Sequence, residues 1–422
     1  MTETLARSPS VWKTVFSGRM AVAAVMGFSC GLPLLLTLSV LQAWMTEEGV
    51  DLGTIGLFAL VQLPYTLKFL WAPLTDRFTP PFLGRRRGWL LVFQTLLMVA
   101  IVTLGLTNPA ADPWLVAGCA LAVTFFSASQ DIVVDAYRRE ALADDELGLG
   151  ASLYVNGYRL GMLLAGGGGL ILADFVSFQT VYLLLGLTMA IGIVTTLLAP
   201  EPPLLEGRPR SLRAAVVEPF VEFFRRDGAL WILAFILLYK LGDSMASAMT
   251  TPFYLDIGFS KSEIGAVVKL FGFWATIGGG LLGGLLILRI GLYRSLWHFG
   301  LLQAVSTAGF ALLAVIGPDT WALAGVIAFE NLSGGMGTAA FVGFMAALTD
   351  RRFTATQYAL LSSLMGVPRV LASAPTGYLA EGFGWVGFFV FCTLIAIPGL
   401  LILRHFKAWA APRSPRGDVV SG

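Results

Sequence analysis

Histidine and cysteine are nearly absent: His298 and His405 are the only histidines, and Cys30, Cys119 and Cys392 the only cysteines, in 422 residues. All three cysteines fall inside apolar runs, with neither metal-ligand spacing nor a disulfide pattern. Both histidines lie near expected helix ends. These absences argue against a metal centre, a disulfide framework and a histidine-based catalytic site or proton relay, so any buried proton carrier is expected to be a carboxylate. Charge is scarce as well, at 13% of residues, and the formal net charge of +2 is too small to point to a nucleic-acid partner. The runs Gly166–Gly169, Gly278–Gly280 and Gly283–Gly284 lack the Lys-Ser/Thr that completes a nucleotide-binding loop. Within apolar helices such small residues allow close helix packing. No cofactor and no metal is expected.

What the chain has in excess is apolar length. Hydrophobic residues make up 56% of it and the mean hydropathy is +0.78, which excludes an ordinary soluble domain. Apolar stretches of about 20 residues recur from Arg19 to Leu403, the length a helix needs to cross a bilayer. The fold class is therefore an all-α polytopic membrane protein, with a lipid bilayer as its surroundings. The first eighteen residues are polar, with no cleavable signal peptide evident. Helices are predicted over 20–43, 52–74, 89–106, 114–137, 150–173 and 180–198. A Pro- and Arg-rich linker follows over 200–228, and six more helices begin near Ala229, Glu263, Ser295, Trp321, Thr356 and Val386. This divides the chain into a six-helix bundle over 1–199, the linker, and a second six-helix bundle with a short tail over 229–422.

Loop charge sets the orientation. Alternate connections hold Arg19, Arg77, Arg85–Arg87, Arg138, Arg139, Arg208, Arg225, Arg289, Arg351 and Arg404, whereas the opposite set holds only Lys261, beside acids such as Glu47 and Asp51. Both termini and the linker are thus expected in the cytoplasm. The two halves also echo each other. Ile55-Gly56 and Ile264-Gly265 are 209 positions apart, and Arg159 and Arg369 are 210 apart. Repeats that both begin in the cytoplasm contain an even number of helices and are related by an axis along the membrane normal. That arrangement resembles the major facilitator transporters.

The chemistry concentrates in residues 125–140, which close the fourth apolar run. At about 100° per residue, Ser127, Asp131, Asp135 and Arg138 share one helical face, with Gln130 beside them. An ionised side chain at mid-bilayer costs about 2.5–3.5 kcal/mol on insertion scales, so such residues face a protein interior or a water-filled cavity. Asp135 and Arg138 lie near the helix end, where anchoring is the alternative reading; Asp131 sits a turn deeper. The loop after the second helix reads Thr75-Asp76-Arg77, then Gly84-Arg85-Arg86-Arg87-Gly88. Asp76 is placed to pair with Arg77 or a nearby arginine and so clamp neighbouring helices. The corresponding stretch of the second half, through Arg289, Gly291 and Arg294, lacks the aspartate, so the clamp should be asymmetric. Asp76, Arg77, Arg85 and Arg138 are the candidate cytoplasmic gate.

Several motifs together resemble the AmpG family of muropeptide permeases. They are Gly27–Pro33, Leu41-Gln42-Ala43-Trp44-Met45, Lys68–Leu74, Thr79–Trp89, the Ser127–Asp135 stretch and Gly157–Leu163. They cover most of the first half; the second half matches mainly in organisation. The resemblance implies a major facilitator fold with twelve transmembrane helices and no enzymatic activity. It implies proton-driven uptake of anhydro-muropeptides from periplasm to cytoplasm across a bacterial inner membrane, for cell-wall recycling linked to β-lactamase induction, by a monomer. A superfamily fold does not fix the cargo, so another saccharide or an acyl-CoA-type solute remains the alternative. A membrane-embedded transferase would need a catalytic constellation for which no His or Cys is placed.

Lys68, Arg159, Lys240, Asp243, Lys269, Glu330 and Arg369 all fall in or near predicted spans. Lys240 and Asp243 are three apart and could pair locally. A peptide bearing carboxylates needs cationic partners, and arginine offers a planar bidentate donor, while sugar rings have apolar faces suited to aromatic surfaces. The candidate substrate-binding residues are Gln42, Tyr65, Lys68, Gln130, Arg159, Lys240, Lys269, Trp274, Asn331 and Arg369. Asp131 is the first choice as proton carrier, followed by Asp135, Asp243 and Glu330.

Overall fold

The computed structural model describes residues 14–50, 54–55, 58–203, 212–226, 228–260, 263–350, 352–372 and 375–410. Among them, nine helices are long and apolar enough to cross a membrane. They are α1 (Gly18–Glu47), α3 (Arg85–Gly105), α4 (Pro113–Ala141), α6 (Phe178–Leu198), α8 (Ala229–Thr250), α9 (Ala266–Ile290), α10 (Leu292–Ile316), α11 (Thr320–Leu348) and α13 (Thr376–Phe406). Three further segments occupy the remaining expected positions: α2 (residues 58–77), α5 (residues 147–173) and α12 (Thr354–Leu371). These three are more interrupted or more polar than the other nine. Pro64 and Pro73 divide α2 into short 3₁₀ and α-helical pieces. The other two are diluted by residues such as Ser152, Asn156, Arg159, Thr354 and Gln357. One helix falls within the expected linker, α7 (Leu212–Phe224).

Helix ends follow local chemistry. Asp112 caps α4 by accepting from the Leu115 amide at 3.0 Å, with Pro113 in the first turn. Asp319 caps α11 in the same way, accepting from Ala322 at 2.7 Å. Gly384 (φ 65°, ψ 169°) kinks α13 between Thr376 and the expected start at Val386.

The α1–α5 pair shows how the glycines are used. Gly27 and Gly31 of α1 lie against the backbone of Tyr154 and Tyr158, and Gly157 and Gly161 of α5 lie against Ala24 and Phe28. A Cβ at any of these four would collide with main-chain atoms that cannot yield. Two small-xxx-small motifs therefore interlock, which is how helices approach closely where lipid supplies no hydrophobic drive.

The apolar core divides by height. One cluster joins both halves at the end carrying the arginine-rich connections (the basic end), where Met20, Leu147 and Leu149 pack with Ile287, Phe341 and Tyr358. At the opposite end each half keeps its own cluster. One holds Leu36, Trp44, Leu97 and Tyr182; the other holds Phe253, Phe310, Leu323 and Phe389. Among the described residues the halves share an apolar cluster at the basic end and have separate ones at the other.

Candidate functional site

The interrupted or polar helices α2, α5 and α12 contribute Lys68, Arg159 and Tyr358 to the site. The fourth helix α4 supplies the axis of the site. Its shared face places Ser127, Asp131, Asp135 and Arg138 along the interior, all buried. The Asp135 carboxylate bridges two cations: Lys68 Nζ from α2 at 4.0 Å and Arg138 Nη2 at 3.1 Å. Arg138 also donates to the Tyr358 hydroxyl of α12 at 3.0 Å, and its guanidinium lies 4.8 Å from the Tyr154 ring centroid. A cation between two aromatic faces is held electrostatically by both rings. This contact joins α4 of the first half to α12 of the second.

One turn further inward, Asp131 is 6% exposed and its Oδ1 meets no hydrogen-bond partner among the described residues. Gln130 donates to Cys30 Sγ at 3.2 Å while its Oε1 is unpartnered. Above them Tyr65 donates to Ser127 at 2.8 Å and Trp71 to Ser129 at 2.9 Å. A buried carboxylate without a full hydrogen-bond complement is costly unless it changes charge or partner. Asp131 is thus a buried carboxylate whose partners are incomplete.

A second cluster sits in the other half. The α8 segment is interrupted at Lys240, whose Nζ lies 3.3 Å from Asp243 Oδ2 and 3.2 Å from Gln303 Oε1. On α11, Glu330 accepts from Ser306 at 2.5 Å, and Ser306 pairs with Ser333 at 2.8 Å. Asn331 accepts from Thr276 at 2.6 Å.

Between the halves runs a seam of α5 against α9. Ser152 donates to the Gly280 carbonyl at 2.5 Å, and Arg159 donates to the Thr276 carbonyl at 3.2 Å. Arg159 also lines a cavity of about 330 Å³ with Leu35, Met162, Leu163, Gly167 and Phe273. Gly280 and Gly284 leave the room that Asn156 and Ser152 fill.

The basic end is closed by a buried ionic lock. Arg86, fully buried, meets Asp76 at 2.8 Å, Glu140 at 2.6 Å and Thr354 at 2.7 Å. Arg85 reaches Glu140 at 2.9 Å, and Thr354 also hydrogen-bonds Glu140. Asp76 accepts from the Thr356 amide at 2.9 Å and its hydroxyl at 2.8 Å. A carboxylate there satisfies free amides in the first turn of α12 and opposes the helix dipole favourably. With two arginines and two carboxylates the lock is neutral, and it ties α2, α3 and α4 to α12.

The expected site residues thus fall into groups. Lys68, Gln130, Asp131, Asp135, Tyr65 and Arg138 come together; Lys240, Asp243, Glu330 and Asn331 lie in the other half, and Arg159 lies on the seam between them. Asp76 and Arg85 sit in the lock, whereas Arg77 rests over the Phe78 ring at 5.5 Å. Gln42, Lys269 and Trp274 are exposed, apart from these clusters. The backbone of Arg369 belongs to α12, but its side chain lies outside the described residues. Sequence reading missed Glu140 as the partner of Arg86, Thr354 and Thr356 as members of the lock, and Tyr154 beside Arg138. Glu140 stands in the stretch already singled out, yet its partner is 54 positions away, a pairing that helical periodicity does not reveal.

A two-bundle helical fold with charged groups buried between the bundles defines a major facilitator transporter, and the Major Facilitator Superfamily profile matches residues 19–373. In fold the chain resembles the proton:xylose symporter XylE bound to 6-bromo-6-deoxy-D-glucose, with a TM-score of 0.71 over 94% of this chain and 96% of that one at 11% identity. It also resembles the human organic anion transporter MFSD10 (TETRAN), with a TM-score of 0.65 over 94% and 100% at 16% identity. In sequence it is 47% identical to the anhydromuropeptide permease of Escherichia coli (strain K12) over 387 residues, covering 91% of this chain and 79% of that protein. A putative transporter AmpG 4 of Rickettsia felis is 33% identical, with coverage of 91% and 95%. The chain belongs to the AmpG family of permeases within that superfamily. These relatives are permeases and transporters, and the protein is a multi-pass membrane transporter rather than an enzyme.

Proposed function

We propose that the chain is a proton symporter importing anhydro-muropeptides, GlcNAc-1,6-anhydro-MurNAc and its peptides, from periplasm to cytoplasm across a bacterial inner membrane. The observation that carries this reading is the 47% identity to a named anhydromuropeptide permease over 91% of the chain. Loop charge supports a cytoplasmic basic end, with both termini and the linker on that side. On that orientation the lock holds the cytoplasmic side closed, with the α5–α9 seam between the halves. The linker joins two six-helix bundles that rock about the cavity as a monomer.

The two clusters supply complementary chemistry. Lys68, Arg138 and Arg159 offer donors to the carboxylates of a muropeptide, and Tyr65 an apolar face for a sugar ring. Lys240, Gln303 and Asn331 approach from the other half, so closure around substrate engages both bundles. Asp131 takes a proton from the periplasmic side. Neutralised, it removes a negative charge one turn from Asp135 and alters the balance holding Lys68 and Arg138, and through Arg138 the Tyr358 contact across the halves. One proton crossing 100 mV supplies about 2.3 kcal/mol, enough for roughly 40-fold accumulation of a neutral solute at about 1.4 kcal/mol per tenfold.

The test is uptake of labelled GlcNAc-1,6-anhydro-MurNAc into proteoliposomes under an imposed pH gradient, with competitors. Unlabelled anhydro-muropeptide should abolish uptake, and simple saccharides and acyl-CoA thioesters should not. Uptake of one of those solutes with none of the muropeptide would overturn the reading in favour of another cargo.

A further inference from the structure

We propose that the linker helix α7 lies on the bilayer surface at the basic end, with lipid covering one of its sides. The helix has three distinct sectors at 100° per residue. Glu222, Phe223, Arg226 and Pro219 span about 100° and face the protein. Glu222 pairs with Arg226 at 2.5 Å and accepts from Gln357 of α12 at 2.5 Å, and the Pro219 carbonyl accepts from Gln357 at 3.1 Å. Arg226 in turn donates to the Leu348 carbonyl at the end of α11. Glu218 and Arg225 occupy a narrow, exposed polar sector.

From Val216 to Phe224, past Arg213 in the first turn, the sector between these two is apolar and open. Val216 is 44% exposed, Val217 46%, Val221 39% and Phe224 54%; with Phe220 they cover about 140° of the helix. A helix bathed in water on this side would be polar here. Lipid is the occupant that position and continuity select. The α7 helix joins the end of one membrane-spanning helix, α6 at Leu198, to the start of the next, α8 at Ala229. It packs against the last turns of α2, where Leu74 and Phe78 are also exposed, as are Leu230 and Trp231 at the start of α8. The open sector thus continues a lipid-facing apolar band, and Glu218 and Arg225 mark its aqueous edge. An interfacial helix with a wide apolar face and a narrow polar one buries that face at the headgroup–acyl boundary. Because its docked sector grips the α11–α12 turn, the lipid contact braces the lock.

Photo-crosslinking in vesicles of phosphatidylethanolamine and phosphatidylglycerol tests this, with benzoylphenylalanine placed singly at Val221, Phe224, Glu218 or Arg225 of the full chain. All four positions are surface sites, so folding is preserved, and mass spectrometry reads the adducts. Lipid adducts several-fold more abundant at Val221 and Phe224 than at Glu218 and Arg225 are expected. Equal yields at all four positions, no lipid adduct at Val221 and Phe224, or covalent dimers there in place of lipid adducts would each overturn the proposal.

Discussion

At the residue scale, the site is a set of buried charges with unequal settlement. Asp76 and Glu140 are each met by arginine and hydroxyl partners, and Asp135 is held between Lys68 and Arg138. Asp131, a turn away, keeps an unpartnered oxygen, which is why it is the proposed proton carrier. The Arg138–Tyr358 hydrogen bond is a charged one, and such bonds contribute about 1.5–3 kcal/mol. Tyr358→Phe should therefore favour opening of the basic end without loss of folded protein; unchanged cysteine accessibility there would contradict this role. Outside the membrane, the Glu263 carboxyl is held below its usual range by the Thr320 hydroxyl first, and then by the Ser260 amide and hydroxyl. A depressed carboxyl stabilises the fold above its unfolded-state value and loses that contribution as pH falls through its folded-state value. Exchange of the Ser260 amide should thus quicken as pH drops through the acidic carboxylate range and stay slow at neutral pH. Exchange that is flat through that range after correction for intrinsic rates would argue against the cap.

At the element scale, most of the fold was legible and much of the site was not. Long apolar runs and capping residues such as Asp112 and Asp319 mark helices in any sequence. The broken α2 and the polar α5 and α12 carry weak signals for the reason that makes them useful: prolines and polar side chains there serve the cavity and the lock. Asp131, Asp135 and Arg138 were visible from one helical face, whereas Arg86 with Glu140 required knowing which helices meet. The glycine pairs behave similarly, since their spacing announces close packing but not the partner. Gly157→Leu should drive a side chain into the α1 backbone at Ala24, and overpacking of this kind costs about 1–3 kcal/mol or more. A clear loss of thermal stability in detergent is expected, and an unchanged unfolding temperature would argue against the interlocked α1–α5 contact. Asp76→Asn should loosen the lock, because removing one partner of a buried pair costs about 3–5 kcal/mol. Spin labels at Asp145 and Arg352, across the basic end, should report longer distances in that variant. An unaltered distance distribution would mean that the lock does not hold the closed state.

At the scale of the whole molecule, the halves share one apolar core at the basic end and keep two at the other, the geometry of a transporter closed on one side. The offset of about 210 positions between matching residues points to two related bundles, and the loop charges predict an orientation for them. Tags at Met1, Gly422 and Pro209 should all be shielded from a periplasmic reagent in intact cells, and labelling of any one would overturn that orientation. Coupling between proton and cargo is the central claim, and a single ratio tests it. In proteoliposomes with an imposed pH gradient, the inside-to-outside concentration of labelled anhydro-muropeptide is measured for the unmodified chain and for Asp131→Asn. The unmodified chain should concentrate the solute against its gradient. Asp131→Asn should exchange it across the membrane yet settle at equal concentrations. Accumulation by Asp131→Asn at the unmodified level, or none by the unmodified chain, would contradict the account.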